Sequence, residues 1–404
     1  MEIIAAERLF DGLKDSALEK GGLLVDGDRI VEVGFTQELL TRYPSAELTH
    51  FPGCTILPGL VNCHSHTVMP GDGSSVEDAM TAGDDQLFLR AAENVRRSLR
   101  AGVTTLADLG ARNDVAFTLR DAVETGSVDG PRLVLAGRAV TSPRGHCWQF
   151  NAEVSNREEM DAQIDSLLER GADLLKIMAN GGGTLGTDPF NPQFDEDLLA
   201  FAVNKAHEAG KPAFAHCSCT TVVRQAVRAG FDVIVHGNFN RDRDVLDFDE
   251  ELAKEAADKG TRWNPTLEIT RCGIRKMEDS GESDEAIARR WHAYEQRELE
   301  IERLKGLGIT MLAGSDEGWG TNAFGTFHRE VEALTRAGHT PVEALRSATS
   351  LSAESLGVGD LVGSFAPKMA SDILVVAGNP LEDIACLSDV RAVWCRGIRV
   401  DRGE

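Results

Sequence analysis

The 404-residue chain carries a formal net charge of −23 and a pI near 4.9. Such an acidic surface repels nucleic acid and anionic membranes, so neither is an expected partner, and no stretch approaches the roughly 18 apolar residues of a membrane helix. Hydrophobic residues make up 42% of the chain. The length exceeds the roughly 250 residues of one α/β barrel, which leaves room for a smaller second domain or long insertions.

The first residues, Met1-Glu2-Ile3-Ile4-Ala5-Ala6-Glu7, show no basic n-region and no long apolar h-region, the marks of a secretory signal. The eight cysteines form no CxxC pair. Both features fit reduced thiols in a cytoplasm. Residues 22–25 and 29–33 read as short β-runs around Asp26-Gly27-Asp28, where Asp-Gly is a strong hairpin signal.

From residue 54 onward a unit repeats: a short apolar run, an amphipathic stretch, then glycine. Candidate strands span 54–63, 103–108, 132–137, 173–178, 211–216, 232–236, 261–266 and 310–316. Helical patterns cover 86–100, 157–170, 195–209, 220–228, 250–259 and 284–307, and Gly102, Gly171, Gly210, Gly230, Gly260 and Gly308 stand where helices end. Strands alternating with helices argue for a parallel sheet, and eight strands are the number that closes a (β/α)8 TIM-like barrel. Further β-runs follow at 372–376, 390–395 and 398–400. Neither end of the chain can bury a core alone. Residues 1–55 and 365–404 are therefore expected to pair as a small β-sandwich domain beside a barrel of residues 56–364.

Residues able to hold a metal fall at the ends of five candidate strands. His64 and His66 are two apart on the first strand, so both imidazoles face one side. Two such imidazoles suit a borderline cation such as zinc, although HxH by itself is also met as two polar residues at a strand end. His216, His236 and Asp316 each end an apolar run, and Lys176 lies inside one. A single strand-end histidine is commonly structural. Six ligand-capable residues at the C-terminal ends of strands, where barrel active sites lie, are hard to explain that way.

A lysine within an apolar strand is costly as a cation. Lys176 is then either a neutral or salt-bridged lysine, or an amine that has reacted with CO₂ to give a carbamate. That anion could bridge two metal ions, one held by His64, His66 and Asp316 and the other by His216 and His236.

The run Leu57-Pro58-Gly59-Leu60-Val61-Asn62-Cys63-His64-Ser65-His66 resembles the entry motif of the amidohydrolase superfamily. Ala213-Phe214-Ala215-His216, Val235-His236-Gly237 and Ala313-Gly314-Ser315-Asp316 resemble its later ligand strands. The segments Leu361-Val362-Gly363-Ser364, Ala370-Ser371-Asp372-Ile373-Leu374 and Gly378-Asn379-Pro380-Leu381 are similar to its closing β-segments. Within the superfamily, Lys176-Ile177-Met178-Ala179-Asn180-Gly181-Gly182 and Ser142-Pro143-Arg144-Gly145-His146-Cys147 resemble the imidazolonepropionase-related, prolidase-like branch. That resemblance implies a carboxylated Lys176, two divalent ions (zinc being the expected metal) and His146 in a substrate-binding loop. It also implies hydrolysis of a small-molecule amide such as a dipeptide or N-acyl amino acid, and a homo-oligomer.

One departure concerns tyrosine. Dipeptidase-type relatives carry a tyrosine near a later strand that polarises the substrate carbonyl. Here Cys217-Ser218-Cys219 follows the fifth strand, and Tyr43 and Tyr294 lie at no strand end. Dipeptide specificity is accordingly weakened, and a non-peptide amide, urea, carbamate, ester or lactam stands beside it. A one-metal deaminase is a more distant alternative, for it would not use Lys176.

In the mechanism these residues imply, a metal-held hydroxide attacks, Asp316 binds metal and carries the proton to the leaving amine, and His146 stabilises the oxyanion. Arg144 adds charge for a substrate carboxylate. Gly182 and Gly183, in Gly181-Gly182-Gly183-Thr184, either cradle that carboxylate with their amides or form a turn needing positive φ. Cys217 and Cys219 read as core, His50, His207, His292 and His339 as surface, and His328 as a candidate for the mouth.

Overall fold

At Gly59 the chain passes from one sheet to another. A Cβ there would lie 2.1 Å from Thr104 Oγ1, so only glycine fits the junction. In this computed structural model, which describes residues 1–242 and 245–403, the expected strand 54–63 is thus two strands, Glu47–Pro58 and β1 (Leu60–Ser65). The first is shared with the terminal sheet and extends it past residue 55. It runs parallel to Glu2–Leu9 and antiparallel to Ile373–Ala377, so the two chain ends are hydrogen-bonded to each other through it.

The terminal segments join in one continuous sheet of eight strands rather than two separately paired layers. Its buried side chains, among them Ile4, Leu23, Ile56, Val375 and Trp394, form a core of their own. The hairpin expected at Asp26-Gly27-Asp28 is present, with Asp26 paired to Arg29.

Beyond Gly59 the strands are parallel. β1, β2 (Val103–Asp108) and β3 (Arg132–Leu135) pair in sequence, as do β4 (Leu175–Met178), β5 (Ala213–Cys217), β6 (Val233–His236) and β7 (Arg262–Asn264). Backbone bonds also cross the gaps. Asp173 N donates to Leu135 O, and Val140 N to Lys176 O, linking the β3 side to β4. The expected eighth strand, 310–316, is not a regular strand. Only Met311 forms a bridge, to Trp263, yet Leu312 N donates to Trp263 O on one side while Cys63 N donates to Ala313 O on the other. The glycine and turn that follow Ala313 pull the backbone off the ladder toward β1. Val61, Ala107, Val134, Leu174, Phe214, Val235 and Leu312 meet in one cluster enclosed by these segments. Each fully buried Val, Leu or Phe contributes about 1.5–3 kcal/mol to that packing.

Helices lie between the parallel strands: α1 (Asp84–Arg100), α2 (Val115–Glu124), α3 (Arg157–Glu169), α4 (Glu196–Glu208), α5 (Thr220–Ala229), α6 (Glu250–Asp258), α7 (Leu267–Asp279), α8 (Asp284–Gly306) and α9 (His328–Arg336). Side-chain caps start several of them: Asn156 on α3, Asp195 on α4 and Asp249 on α6 each accept a first-turn amide. Among the described residues no helix is long and apolar enough to cross a membrane.

Candidate active site

The C-terminal ends of the parallel strands open on a cavity of about 270 Å³, the size of a small-molecule site. Its lining includes His64, His66, His146, Lys176, Gly182, Gly183, His216, His236 and Asp316. Five imidazoles form a continuous chain there. Ring centroids are 5.3 Å apart for His66 and His64, 5.6 Å for His64 and His236, 4.6 Å for His236 and His216, and 4.7 Å for His216 and His146.

Hydrogen-bond partners assign the tautomers. His64 Nδ1 lies 2.9 Å from Asn264 Oδ1, whose amide nitrogen donates to Gly314 O, so His64 carries its proton on Nδ1. His66 Nδ1 donates to Gly110 O at 2.9 Å. Both Nε2 atoms are left bare, 3.4 Å from each other and 3.3 and 3.5 Å from Asp316 Oδ1. His236 Nδ1 is 2.7 Å from Thr266 Oγ1, and that hydroxyl gives its own proton to Pro265 O. The imidazole is therefore the donor, and its Nε2 is bare. His216 is reversed: Nε2 donates to Gly181 O at 3.2 Å, leaving Nδ1 free. His146 differs again. Thr184 Oγ1, 2.9 Å from His146 Nδ1, accepts the Cys147 amide, and no other acceptor takes its hydroxyl proton among the described residues. Thr184 thus donates to Nδ1, and His146 holds a proton on Nε2.

Burial keeps the cluster neutral. Desolvation, followed by neighbouring His and Lys charges, pushes His64, His146, His216 and His236 well below the usual imidazole range, and burial takes His66 down to about 4. Lys176 is 1% exposed, and among the described residues neither its Nζ nor Asp316 Oδ1 has a hydrogen-bond partner. Burial drives the lysine down and the carboxyl up, while each charge favours the other's ionised form. Buried polar atoms without partners are rare enough that each calls for a cause.

Two of these positions are conformationally strained. His236 has φ 61° and Asp316 φ 58°, in the left-handed region, which costs on the order of 1–3 kcal/mol at a non-glycine residue. Arg297 holds the first by donating to the His236 and Gly237 carbonyls, and Asp316 N is tied to His64 O.

Arg144 is not brought to the cavity lining. It sits on an exposed turn at φ 57°, its amide bound to Glu153 and its guanidinium stacked 4.1 Å over Trp148, which turns the charge outward. Gly182 and Gly183 do line the cavity, but as close packing. Neither they nor Gly181 has a positive φ, and the amides of Gly181 and Gly182 already donate to Asp188 O and Thr187 Oγ1. A Cβ on Gly182 would meet His146 Nε2 at 2.6 Å, and one on Gly183 would meet Trp319 Nε1 at 2.9 Å. His339 is buried rather than on the surface, and His328 lies beside Arg97 and Leu387, away from this mouth. Cys217 and Cys219 are buried, as expected.

Several lining residues were not anticipated: Ser218, Asn238, Arg290, Arg297 and Trp319. Ser218 stands two residues past His216, its Oγ 3.0 Å from His216 Nε2. Trp319 alone had a signal, a large aromatic between two glycines three residues after Asp316.

The model of the amidohydrolase family matches residues 55–400. The chain belongs to the amidohydrolase family. It is a hydrolase acting on C–N bonds, of the imidazolonepropionase- and prolidase-like branch. A bacterial imidazolonepropionase-like composite domain also matches residues 21–46. The ochratoxinase of Aspergillus niger is 25% identical over 97% of this chain and 84% of its own length. Among solved structures, a Xaa-Pro dipeptidase with bound methionine in its active site superposes with a TM-score of 0.87 at 24% identity, over 99% of both chains. A prolidase complexed with N-methylphosphonate-L-proline gives 0.81 at 27% identity, over 99% of this chain and all of its own. The fold is accordingly a TIM-like barrel with an additional domain.

Proposed function

We propose that this amidohydrolase uses two divalent metal ions, zinc being the best fit, to cleave the amide bond of a small molecule such as an N-acyl amino acid or dipeptide. The observation that carries the reading is the pair of partnerless buried atoms, Lys176 Nζ and Asp316 Oδ1, in a cavity with four bare imidazole nitrogens. Ligand atoms of His64, His66 and Asp316 lie within 4.8 Å of one another, both imidazoles turning a bare Nε2 to the carboxylate. That arrangement is repulsive unless a cation sits among them, and a nitrogen-and-oxygen donor set suits zinc.

His64, His66 and Asp316 would hold one ion, and His216 through Nδ1 and His236 through Nε2 the other. Lys176, whose ammonium burial makes easier to deprotonate, would add its amine to CO₂ and lose a proton, and the resulting carbamate would join the groups that hold the metal. Bound there, the metals supply an acidified water and a Lewis acid for the carbonyl. Asp316 takes the proton of the attacking water and returns it to the departing amine. His146 aims its Nε2–H at the carbonyl oxygen, where negative charge develops. The prolidase and dipeptidase likenesses support a substrate with a carboxylate.

The test is a hydrolysis screen of the zinc-loaded protein against N-acyl amino acids, dipeptides, ureas and carbamates, with metal counted. About two ions per chain and turnover of an N-acyl amino acid or dipeptide are expected. One ion per chain, or turnover confined to ureas or carbamates, would overturn the corresponding part.

A further inference from the structure

Two guanidinium groups line the cavity, and they differ in what they hold. Arg297 is spent: it donates to the carbonyls of His236 and Gly237 and is paired with Glu300. Arg290 makes no hydrogen bond and no ion pair among the described residues, although the chain carries a formal charge of −23. Arg271 and Arg275 on α7 are paired with Glu268 and Arg303 on α8 with Glu250, while the adjacent Arg289, also without a partner among the described residues, does not line the cavity.

Arg290, Tyr294 and Arg297 fall at i, i+4 and i+7 of α8, on one face. Tyr294 is 3% exposed and Arg297 is half-buried, while Arg290, nearer the start of the helix, is exposed at the rim of the cavity. The helix is fixed there, since Trp291 Nε1 donates to Glu278 on α7 at 2.9 Å and its ring packs edge-on to Tyr294. Seven residues of helix separate the stems of Arg290 and Arg297 by about 10 Å. Arg297 reaches the backbone of β6, so Arg290 stands at the outer part of the cavity. The lining is mixed: Leu267 and Ile269 of α7 and Trp319 supply apolar surface beside the polar Asn238, Thr266 and Thr270.

We infer that Arg290 is the anion-recognising residue of this cavity, and that its ligand is a carboxylic acid with an apolar group next to the carboxylate. A guanidinium fork matches the two oxygens of a carboxylate. It also supplies a single positive charge. A phosphate dianion would keep an unbalanced charge at the rim, where the lining offers no guanidinium besides Arg290 and the committed Arg297. The assignment replaces Arg144, which faces away, and the Gly181 and Gly182 amides, which are occupied. It rests on reading the cavity as the hydrolase site, and it names one feature of the substrate.

The experiment is calorimetric titration of the zinc-loaded protein with 3-phenylpropanoate and with 3-phenylpropanol, neither of which can be hydrolysed. Wild type is expected to prefer the acid. Arg290→Gln is expected to weaken the acid by about tenfold, a bidentate ion pair reduced to a neutral contact, and to leave the alcohol unchanged. Arg290→Lys, which keeps charge and loses the fork, should fall between. A carboxylate bound by metal alone would be indifferent to Arg290. Unchanged acid binding in Arg290→Gln, equal loss of both ligands, or no acid binding by wild type would each overturn the inference. Hydrolysis measured on the same preparations separates this from the proposed function. Turnover with Arg290-independent binding removes the inference alone, whereas Arg290-dependent binding without amide turnover removes the amide reading alone.

Discussion

Thr266 Oγ1 stands 2.7 Å from Nδ1 of His236 while giving its own proton to Pro265 O, so one hydroxyl fixes which nitrogen of that imidazole is bare. The same residue starts α7 from a left-handed backbone, and Glu330 on α9 accepts the next two amides, of Leu267 and Glu268. Thr266→Val keeps shape and removes the acceptor. It is expected to lower metal affinity or kcat by about 10–100-fold with little change in fold. Metal retained after dialysis against a chelator is the measurement, and wild-type retention together with wild-type kcat would contradict the tautomer assignment.

Thr184 does the converse for His146, donating to Nδ1 so that Nε2 keeps a proton for the substrate. In Thr184→Val that proton is free to move to Nδ1. Metal content should hold while kcat falls at least about tenfold, short of the roughly 10²–10³ seen when an oxyanion donor is deleted outright. Loss of metal instead would make Thr184 a prop for the ligands rather than for His146.

How far the site could be read in the sequence follows from what places each residue. That His64, His66, Lys176, His216, His236 and Asp316 line one cavity was legible because they end, or lie inside, apolar runs, and strand period fixes the face of His64 and His66. Thr184, Thr266, Arg290 and Trp319 come from loops and helices, where direction toward the cavity depends on packing that no local pattern records. Arg144 lies outside the cavity lining, on an exposed left-handed turn with its guanidinium over Trp148, a placement no sequence pattern records. The glycines after Lys176 were read as a cradle or a turn, yet their cause is lateral, the imidazole and indole pressed against them. In the fold, the parallel strands and helix-ending glycines were readable. The break at Gly59 was not, since it depends on Thr104 from the next strand. The irregular path at 310–316 is likewise set by its partners on both sides.

Lys176→Ala removes, from a position 1% exposed, the amine proposed to carry the carbamate. Metal and nearly all activity should be lost. Formate or acetate added to the variant should restore part of both by supplying carboxylate oxygens in the space vacated. Full metal content and turnover in Lys176→Ala would rule out the two-metal arrangement.

Asp316→Asn preserves size and removes the proposed proton acceptor, whose Oδ1 faces His64 and His66 at 3.3 and 3.5 Å. Metal should be largely retained, held by His64 and His66, while kcat falls by at least about 10²-fold, as lost acid–base catalysis entails. Near-normal kcat would transfer the proton's path to another group.

The metal-free protein should be most stable near pH 6.5 and lose stability on both sides. On the acid side, the unfolded chain takes up protons at the ordinary imidazole value of 6.5 that the buried histidines refuse, His66 until about 4. Stability therefore falls as pH drops below 6.5, and His66 alone accounts for about 3 kcal/mol once pH passes its folded value. On the alkaline side, burial raises Glu317 to about 7 and Glu330 to about 8 from an ordinary 4.5. Between those values the unfolded chain releases protons that the folded carboxyls keep, so stability falls as pH rises toward 8. Between 4.5 and 6.5 the two effects oppose each other, and the five cavity histidines outnumber the three carboxyls raised to about 7 or 8, Asp316, Glu317 and Glu330. Thermal melts of chelator-treated protein from pH 5 to 8 decide the matter. A melting temperature that climbs steadily across that whole range, or falls steadily across it, would show that these buried groups are not neutral in the fold.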